Sequence, residues 1–290
     1  MTRLVDIEAH IGSMGELLDV VGAMRSLASM RVQEAHRSLP GIRRYAETMA
    51  AAIGAALLLV PEGTPAARSA RGRRALILCT AEHGFVGAFN ERILTAAEAV
   101  LDPNDALFVL GSRGAALAQE HGRPVLWAHP MATRPESVLE TIRRLTAELY
   151  RAVADGNVTR VEVIFARHRQ GSPLEIERRL LFPVDRTSFA LTPPQLPPLH
   201  NLPAAVLLEK LIADYVFALL TEAAVESLAS ENAARFAAMG SAHDSVSKKL
   251  DQLRQDARQA RQSEITTELL DLVTGAEAQH GADPRYREAQ

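Results

Sequence analysis

Apolar and small residues at the start of the chain recur in alternating steps of three and four. The stripe has twelve positions, and all but the arginine are apolar or alanine: Leu4, Ile7, Ile11, Met14, Leu18, Val21, Arg25, Ala28, Val32, Ala35, Leu39 and Ile42. Such a spacing over more than five heptads keeps one stripe facing a partner helix and predicts a coiled coil. We expect a first helix from Leu4 into the fifties, kinked or briefly broken at Pro40 and Gly41.

A second long helix is predicted at the other end of the chain, from Pro203 to about Glu277. This stretch contains no proline after Pro203 and is dominated by Ala, Leu, Glu, Gln, Arg and Lys, which favour helices. As one helix of about 75 residues it would be roughly 110 Å long, so most of it must lie against something else. The simplest partner is the first helix, packed antiparallel. Asn201 is a candidate cap.

The middle of the chain alternates strands with helices. Strands are predicted at 74–80, 106–110, 125–128, 160–167 and 174–184, the last as an edge or hairpin strand, with helices from about 90, 115 and 135. This order predicts a small open α/β (Rossmann-like) domain inserted between the two helices. The segments are then a coiled-coil helix at 1–60, an α/β domain at 74–190, a coiled-coil helix at 203–278 and a polar tail at 279–290.

Composition excludes several classes of protein. The formal net charge of −3 argues against a general nucleic-acid binder. The single cysteine, Cys79, cannot form an intramolecular disulfide and fits a reducing compartment. The first residues lack the pattern of a leader peptide, and the most apolar stretch, 49–60, is too short to span a bilayer.

Two glycine loops are the candidates for enzyme chemistry. Gly84 and Gly87, like Gly111 and Gly114, follow a predicted strand and precede a helix, which is the geometry that holds phosphates. Neither pair completes a dinucleotide-binding or P-loop motif, and turns of this kind need glycine for backbone reasons alone. Asn90 is a candidate helix cap. A small phosphate- or nucleotide-binding enzyme with helical arms remains the alternative reading.

Other catalytic groups have weaker support. The nine histidines never stand three or four residues apart, and one cysteine offers no C-x-x-C pair, so no metal site is predicted. Glu82 and His83 at a strand end could act as acid and base, but such residues are more often the polar mouth of a sheet.

The last helix carries the densest pattern of charge. Arg254, Arg258, Arg261 and Gln262 lie on adjacent turns. They form either a solvated face with ordinary surface pairs or a binding surface for an acidic partner, since the arginine fork suits carboxylates. The spacing supports both readings equally.

Four segments together resemble the gamma subunit of F-type ATP synthases. Residues 265–276 carry the whole C-terminal signature I-T-x-E-x-x-[DE]-x-x-x-G-A, and residues 229–239 are similar to A-S-E-x-A-A-R-M-x-A-M. Residues 260–262 match A-R-Q, and residues 83–90 are similar to R-G-L-C-G-x-x-N. The resemblance covers nearly the whole chain.

The resemblance implies a non-catalytic rotor shaft that couples ion flow through a membrane c-ring to conformational cycling of catalytic beta subunits. Implied partners are three alpha and three beta subunits, an epsilon subunit and the c-ring, at the cytoplasmic face of a bacterial inner membrane. No cofactor, metal, nucleic acid or directly bound nucleotide is implied. Gly84, Gly87 and Asn90 become turn and cap residues.

The resemblance also implies which residues contact the acidic catch loops of the beta subunits. By position these are Met24, Arg261, Gln262, Thr266 and Glu268. We add Arg25, because a charge in the apolar stripe needs a carboxylate partner or an exit to solvent.

Two departures from the family pattern stand out. Most of the positive charge usual in the first helix is absent from residues 7–21, and the tail after Ala278 is longer than usual. Both are similar to the divergent gamma subunits of second, N-type operons, whose complexes are thought to be ATP-driven ion pumps. A scaffold that uses the coiled coil in another assembly is a third reading, and the signature argues against it.

Overall fold

The computed structural model describes residues 4–59, 72–156, 158–169, 174–189 and 199–281, with side chains described as far as residue 275. The chain divides into two compact units. Unit 1 combines residues 1–24 with 239–290, and unit 2 comprises Arg25–Ala238. Each is described separately below, and the four-segment division expected from the sequence stays a prediction.

The first helix, α1, extends without interruption from Leu4 to Leu57. The short break expected at Pro40 and Gly41 is therefore absent, and the kink expected as its alternative stays a prediction. Proline removes one backbone hydrogen bond, and the exposed Pro40 does not disturb the packed face of the helix. Ala35 and Leu39, which lie before it, are buried in the core of unit 2.

Unit 2 contains a five-stranded sheet in the order β3-β2-β1-β4-β5. β1, β2, β3 and β4 are parallel, and β5 pairs antiparallel with β4 at one edge, as expected for the last strand. The strands are β1 Arg73–Cys79, β2 Ala106–Leu110, β3 Val125–His129, β4 Val158–Arg167 and β5 Glu175–Phe182. The helices between them are α2 Phe89–Glu98, α3 Ser112–Glu120 and α4 Pro135–Ala154, and a 3-10 turn follows at Arg186–Ser188. The predicted open α/β layer is confirmed.

Both faces of the sheet are buried, because successive side chains of a strand point to opposite sides. In β1, Leu76 and Leu78 pack against α2 and α3. Ile77 and Cys79 face the opposite side, where α4 and the last helix contribute to the core. The near-continuous apolar strands follow from this arrangement.

The last helix, α5, extends from Ala204 to Gly281. It begins directly after Pro203, whose carbonyl accepts a hydrogen bond from Leu207 N–H. The prediction that Asn201 caps this helix is therefore wrong. Within unit 2, α5 runs antiparallel to α1, because Ile53 packs with Leu208 and Arg43 pairs with Glu222 further along α5. The predicted antiparallel helix pair is confirmed.

In unit 1 the first turns of α1 lie against the outer part of α5. Glu8 Oε1 accepts a hydrogen bond of 2.6 Å from Arg261 Nη2. Ile7 and His10 share a groove with Leu253 and Ala260. Leu253 is buried there, as the apolar seam of a helix pair requires.

Candidate functional site

The second glycine loop has a packing explanation. Gly111 has φ +108°, and a Cβ on it would lie 2.5 Å from the carbonyl oxygen of Thr80. A Cβ on Gly114 would lie 2.1 Å from Thr80 Oγ1. Thr80 occupies this space because its hydroxyl donates to Leu110 O at 2.6 Å. Both glycines therefore allow β1 and α3 to approach closely, which explains them without a phosphate.

In the first loop only one of the two glycines has the turn geometry. Gly87 has φ +55°, which favours glycine, whereas Gly84 has no positive φ and a Cβ there would meet nothing nearer than Arg113 Nη2 at 3.9 Å. The left-handed residue next to Gly84 is Phe85, with φ 62°, and its side chain is exposed. Gly87 therefore has the left-handed backbone conformation expected of a turn glycine, and Gly84 does not.

Asn90 is not a helix cap, contrary to the prediction. α2 begins at Phe89 after Ala88, and no side chain caps it. Asn90 lies inside the first turn, where its Oδ1 accepts a hydrogen bond of 2.9 Å from Ala81 N–H. The side chain therefore fixes the end of β1 to α2. The sequence indicated a local polar role but could not distinguish a cap from this link.

The place where doubly wound folds bind nucleotides is occupied by helix α5. Such ligands bind at the carboxyl ends of the strands where the strand order reverses, here between β1 and β4. Ser227 Oγ donates to Cys79 O at 2.7 Å, and Ser230 Oγ donates to Ala166 O at 2.9 Å. The two serines thus satisfy carbonyls at the ends of both strands. Sequence reasoning did not assign them this role, although Ser230 lies in the segment 229–239 that resembles the family motif and Ser227 is three residues before it.

An arginine of α5 also holds the first glycine loop. Arg235 Nη2 donates to His83 O at 3.2 Å, and its Nε donates to Gly84 O at 3.3 Å. Its partner on the helix is Glu231 at 2.6 Å, and both side chains are buried. Burial raises the pKa of Glu231, and the charge and hydrogen bond of Arg235 oppose that rise. The loop is held by protein groups through its backbone carbonyls.

Glu82, an acid–base candidate in the sequence, is a structural acceptor. Its carboxylate accepts hydrogen bonds from Ser112 N–H at 3.0 Å, Ser112 Oγ at 2.7 Å and Met131 N–H at 2.8 Å. Burial raises its pKa, but these hydrogen bonds outweigh burial and hold the pKa below its ordinary value. A general acid needs the opposite shift.

The predicted partner-binding residues of α5 are exposed. Arg261 contacts Glu8, and Thr266 Oγ1 donates to the backbone carbonyl of Gln262 at 2.8 Å. Gln262 and Glu268 are exposed as well. All described side chains from Arg261 to Gly275 are exposed, including five large apolar ones: Ile265, Leu269, Leu270, Leu272 and Val273. Their apolar exposure was not part of the sequence-based prediction, although the spacing of Ile265, Leu269 and Leu272 was visible.

Met24 is not next to that segment. Along α1, Met24 lies about 24 Å beyond Glu8, the residue that Arg261 contacts. In unit 2, Arg25 lies over the ring of Phe236, 5.0 Å from the ring centre. Arg25 was expected to find a carboxylate or solvent; its contact is instead a cation–π one, because the aromatic face accepts a guanidinium in a partly buried setting. Within unit 1, Met24 therefore does not cluster with the four predicted residues of α5.

Neither a metal site nor a membrane span is found in the described ranges. Within them, no group of three or more His, Cys, Asp or Glu side chains could hold a metal ion. In the same residues, no helix is both long enough and apolar enough to cross a bilayer.

Comparison with known proteins decides the family. A family model described as ATP synthase matches residues 3–279. The ATP synthase gamma chain of Prosthecochloris aestuarii is 27% identical over 97% of this chain and 100% of its own length. That of Streptomyces avermitilis is 29% identical over 93% of each chain. The chain belongs to the ATP synthase gamma-chain family. The resemblance stated from the sequence is confirmed, and the gamma chain is a non-catalytic subunit of the central-stalk rotor.

Solved structures agree with the fold of the gamma family. A chain of the Euglena gracilis mitochondrial ATP synthase (OSCP/F1/c-ring, rotational state 3) matches with a TM-score of 0.67 at 13% identity, covering 96% of this chain and 95% of that one. A chain of the Tetrahymena thermophila mitochondrial ATP synthase central stalk and c-ring has a TM-score of 0.53 at 14% identity, covering 77% of this chain and 99% of that one. At these identities the likeness shows the fold alone.

Proposed function

We propose that this gamma chain is the shaft inside a ring of three alpha and three beta subunits, and that unit 2 contacts an epsilon subunit and the membrane c-ring. The complex would lie at the cytoplasmic face of a bacterial inner membrane. Rotation of the asymmetric shaft would place the three catalytic sites in different conformations in turn.

The observation that carries this proposal is the exposed outer segment of α5. From Arg261 to Gly275 no described side chain is buried, and five large apolar residues face solvent. A helix with this surface buries its apolar side chains against a partner. The inside of a protein ring would supply such a partner around the whole helix.

The predicted catch-loop residues then make contacts at two levels of the shaft. Arg261, Gln262, Thr266 and Glu268 form an outer level near the start of α1. Met24 belongs to an inner level about 24 Å along α1. We infer that different loops of the beta subunits reach the two levels. Arg25 lies over the ring of Phe236. We therefore expect it to meet a beta subunit as a positive charge held in place by that ring.

Co-expression with the candidate alpha and beta subunits tests the proposal. A tag on this chain should isolate a complex of three alpha, three beta and one gamma chain. The ATPase rate of that complex should exceed that of alpha and beta subunits expressed alone. If the tagged chain is isolated without them and binds a nucleotide in calorimetry, the proposal is wrong and the nucleotide-binding alternative replaces it.

A further inference from the structure

A basic groove in unit 2 is separate from the partner surface of α5. It has a cavity volume of about 550 Å³ and lies between α1, the end of β4 and α5. Its lining comprises His36, Leu39, Pro40 and Arg43 from α1, Arg167, His168 and Arg169 from the end of β4, and Glu222 and Glu226 from α5. Basic side chains from two separate elements thus converge on one open space.

The two glutamates position arginines at the floor of this groove. Glu222 accepts from Arg43 Nε at 2.9 Å and from Arg179 Nη1 at 2.8 Å. Glu226, which is buried, accepts from Arg43 Nη2. Arg167 Nη1 pairs with Glu177 at 2.7 Å. The guanidinium groups are therefore held in place before any ligand binds, which lowers the entropy lost on binding.

Donors remain for a ligand. Arg167 Nε lies 3.5 Å from Glu226 but has no hydrogen-bond partner among the described residues, although the atom is buried. The Arg169 side chain is 64% exposed, and its nearest carboxylate, Glu175, is 3.8 Å away. Because Arg167 Nε is buried beside Glu226, the exposed Arg169 guanidinium is the donor that a ligand in the groove reaches first.

Two histidines face each other across the groove. The rings of His36 and His168 have their centres 6.3 Å apart. Burial lowers the pKa of His168, the charge of His36 lowers it further, and Glu226 acts in the opposite direction. With the ion-pair partners Arg179, Glu175 and Glu177 on β5 included, the arginines and glutamates around the groove balance, so protonation of both histidines would leave two uncompensated positive charges. A bound anion would offset that charge.

We propose that this groove is a pH-dependent binding site for a tetrahedral oxyanion, the phosphate group of inorganic phosphate or of a small phosphorylated molecule. Arginine binds phosphate oxygens bidentately, and the two histidines add donors when they are protonated. The charged groups that face the histidines are Arg43 on α1, Arg167 and Arg169 after β4, and Glu222 and Glu226 on α5. With the glutamates already paired to arginines, acidification strengthens the site.

Binding would also act on the fold. The ligand would join α1 to the end of β4, adding to the bridge that Glu226 of α5 makes between Arg43 and Arg167 and to the contact between the His36 and His168 rings. This would stiffen the connection between the long helices and the sheet within unit 2. The site does not depend on the rotor assignment, because every group in it belongs to this chain.

Calorimetry on the purified full chain tests the site with sulfate, inorganic phosphate and AMP. Sulfate keeps its charge between pH 5.5 and 8, so its pH dependence reports on the protein. We expect sulfate to bind several-fold more tightly at pH 5.5, because protonation of the histidines adds positive charge within several ångströms of the anion, while the lowered pKa of His168 limits the gain. Tighter binding of AMP than of inorganic phosphate would identify a phosphorylated molecule as the ligand, and the reverse order would identify free phosphate.

Variants of exposed groove residues provide the controls. His36→Gln with His168→Gln should remove the pH dependence, and Arg169→Gln should weaken binding several-fold at both pH values. Arg144→Gln, whose side chain pairs with Glu140 on the surface of α4, should change nothing. Circular dichroism would verify that each variant is folded. The proposal is overturned if none of the three anions binds saturably at either pH, or if the double histidine variant retains the full pH dependence.

Discussion

Two stretches of helix α5 differ in which kind of side chain they bury and which kind they expose. In unit 2, between residues 217 and 235, eight polar or charged residues are buried: Thr221, Glu222, Glu226, Ser227, Ser230, Glu231, Asn232 and Arg235. In unit 1, between residues 261 and 275, all described side chains are exposed and five of them are large and apolar. The first stretch therefore buries polar groups beside its apolar ones, and the second exposes large apolar groups beside its polar ones.

The difference indicates whether the binding partner of each stretch lies within this chain or outside it. The buried polar groups bind within the chain, as Ser227 and Ser230 do with strand carbonyls and Glu226 does with Arg43. The exposed apolar groups have no such neighbours, and the proposed ring of catalytic subunits would bury them. The four predictions below test the comparison, from the largest expected effect on stability to the smallest.

Removing a buried carboxylate should destabilise the chain most. Glu226→Ala would leave Arg43 and the partly buried Arg167 without their shared partner. Because Arg43 is partly exposed and each arginine keeps a second carboxylate, we expect a loss of about 2 kcal/mol in the free energy of unfolding, below the roughly 3–5 kcal/mol of a broken buried pair. Urea unfolding of the full chain measures it. A change of the size typical of surface residues would contradict the role given to Glu226.

The same stretch should make stability depend on pH. Burial raises the pKa of Glu222, but hydrogen bonds from Arg179 and Arg43 outweigh it, so the pKa in the folded chain lies below its ordinary value. Since the unfolded pKa is about 4.3, this stabilisation is present above that pH and is lost as the pH falls through the folded pKa. Unfolding free energies measured from pH 7 to 3 should fall less steeply in Glu222→Gln than in the exposed control Glu140→Gln. Equal slopes in the two variants would show that Glu222 is not held ionised by its arginines.

Polar substitutions in the exposed stretch should impair assembly while changing the stability of the chain little. Ile265→Ser, Leu269→Ser and Leu272→Ser together should change the unfolding free energy by no more than about 0.5 kcal/mol per site, as for other surface positions. Recovery of alpha and beta subunits with the tagged chain should nevertheless fall strongly, because the apolar contact is lost. Undiminished recovery would remove the exposed stretch as the partner surface.

The smallest effect on stability is expected at Arg261 and Gln262. The double change Arg261→Ala with Gln262→Ala removes an exposed ion pair to Glu8, worth about 0.2–1 kcal/mol. Assembly or ATPase coupling should weaken without unfolding. The variant Glu8→Ala breaks the same ion pair but keeps Arg261 and Gln262, so it separates helix pairing from partner binding. Normal coupling in the double variant would show that these two residues do not contact the catch loops.

Much of the fold could be predicted because its signals are local. The stripe from Leu4 to Ile42 and the proline-free stretch after Pro203 gave both long helices, and alternating strands and helices gave the sheet. Pro40 was misread as a break, because a single lost hydrogen bond does not end a helix packed on both sides of it. Asn90 and Asn201 were wrongly predicted to be helix caps. Whether a side chain caps a helix depends on the residue at which the helix begins, and residue type alone does not determine that residue.

The sequence by itself therefore determined the family, the two long helices and the order of strands, since each depends on periodicity or on a motif of neighbouring residues. Only the tertiary structure decided that Ser227, Ser230 and Arg235 fill the switch point of the sheet, and that Met24 lies far along α1 from the residue paired with Arg261. It also brought His36, Arg43 and His168 together from distant parts of the chain. Such contacts depend on the register and packing of whole elements, which a one-dimensional pattern does not record.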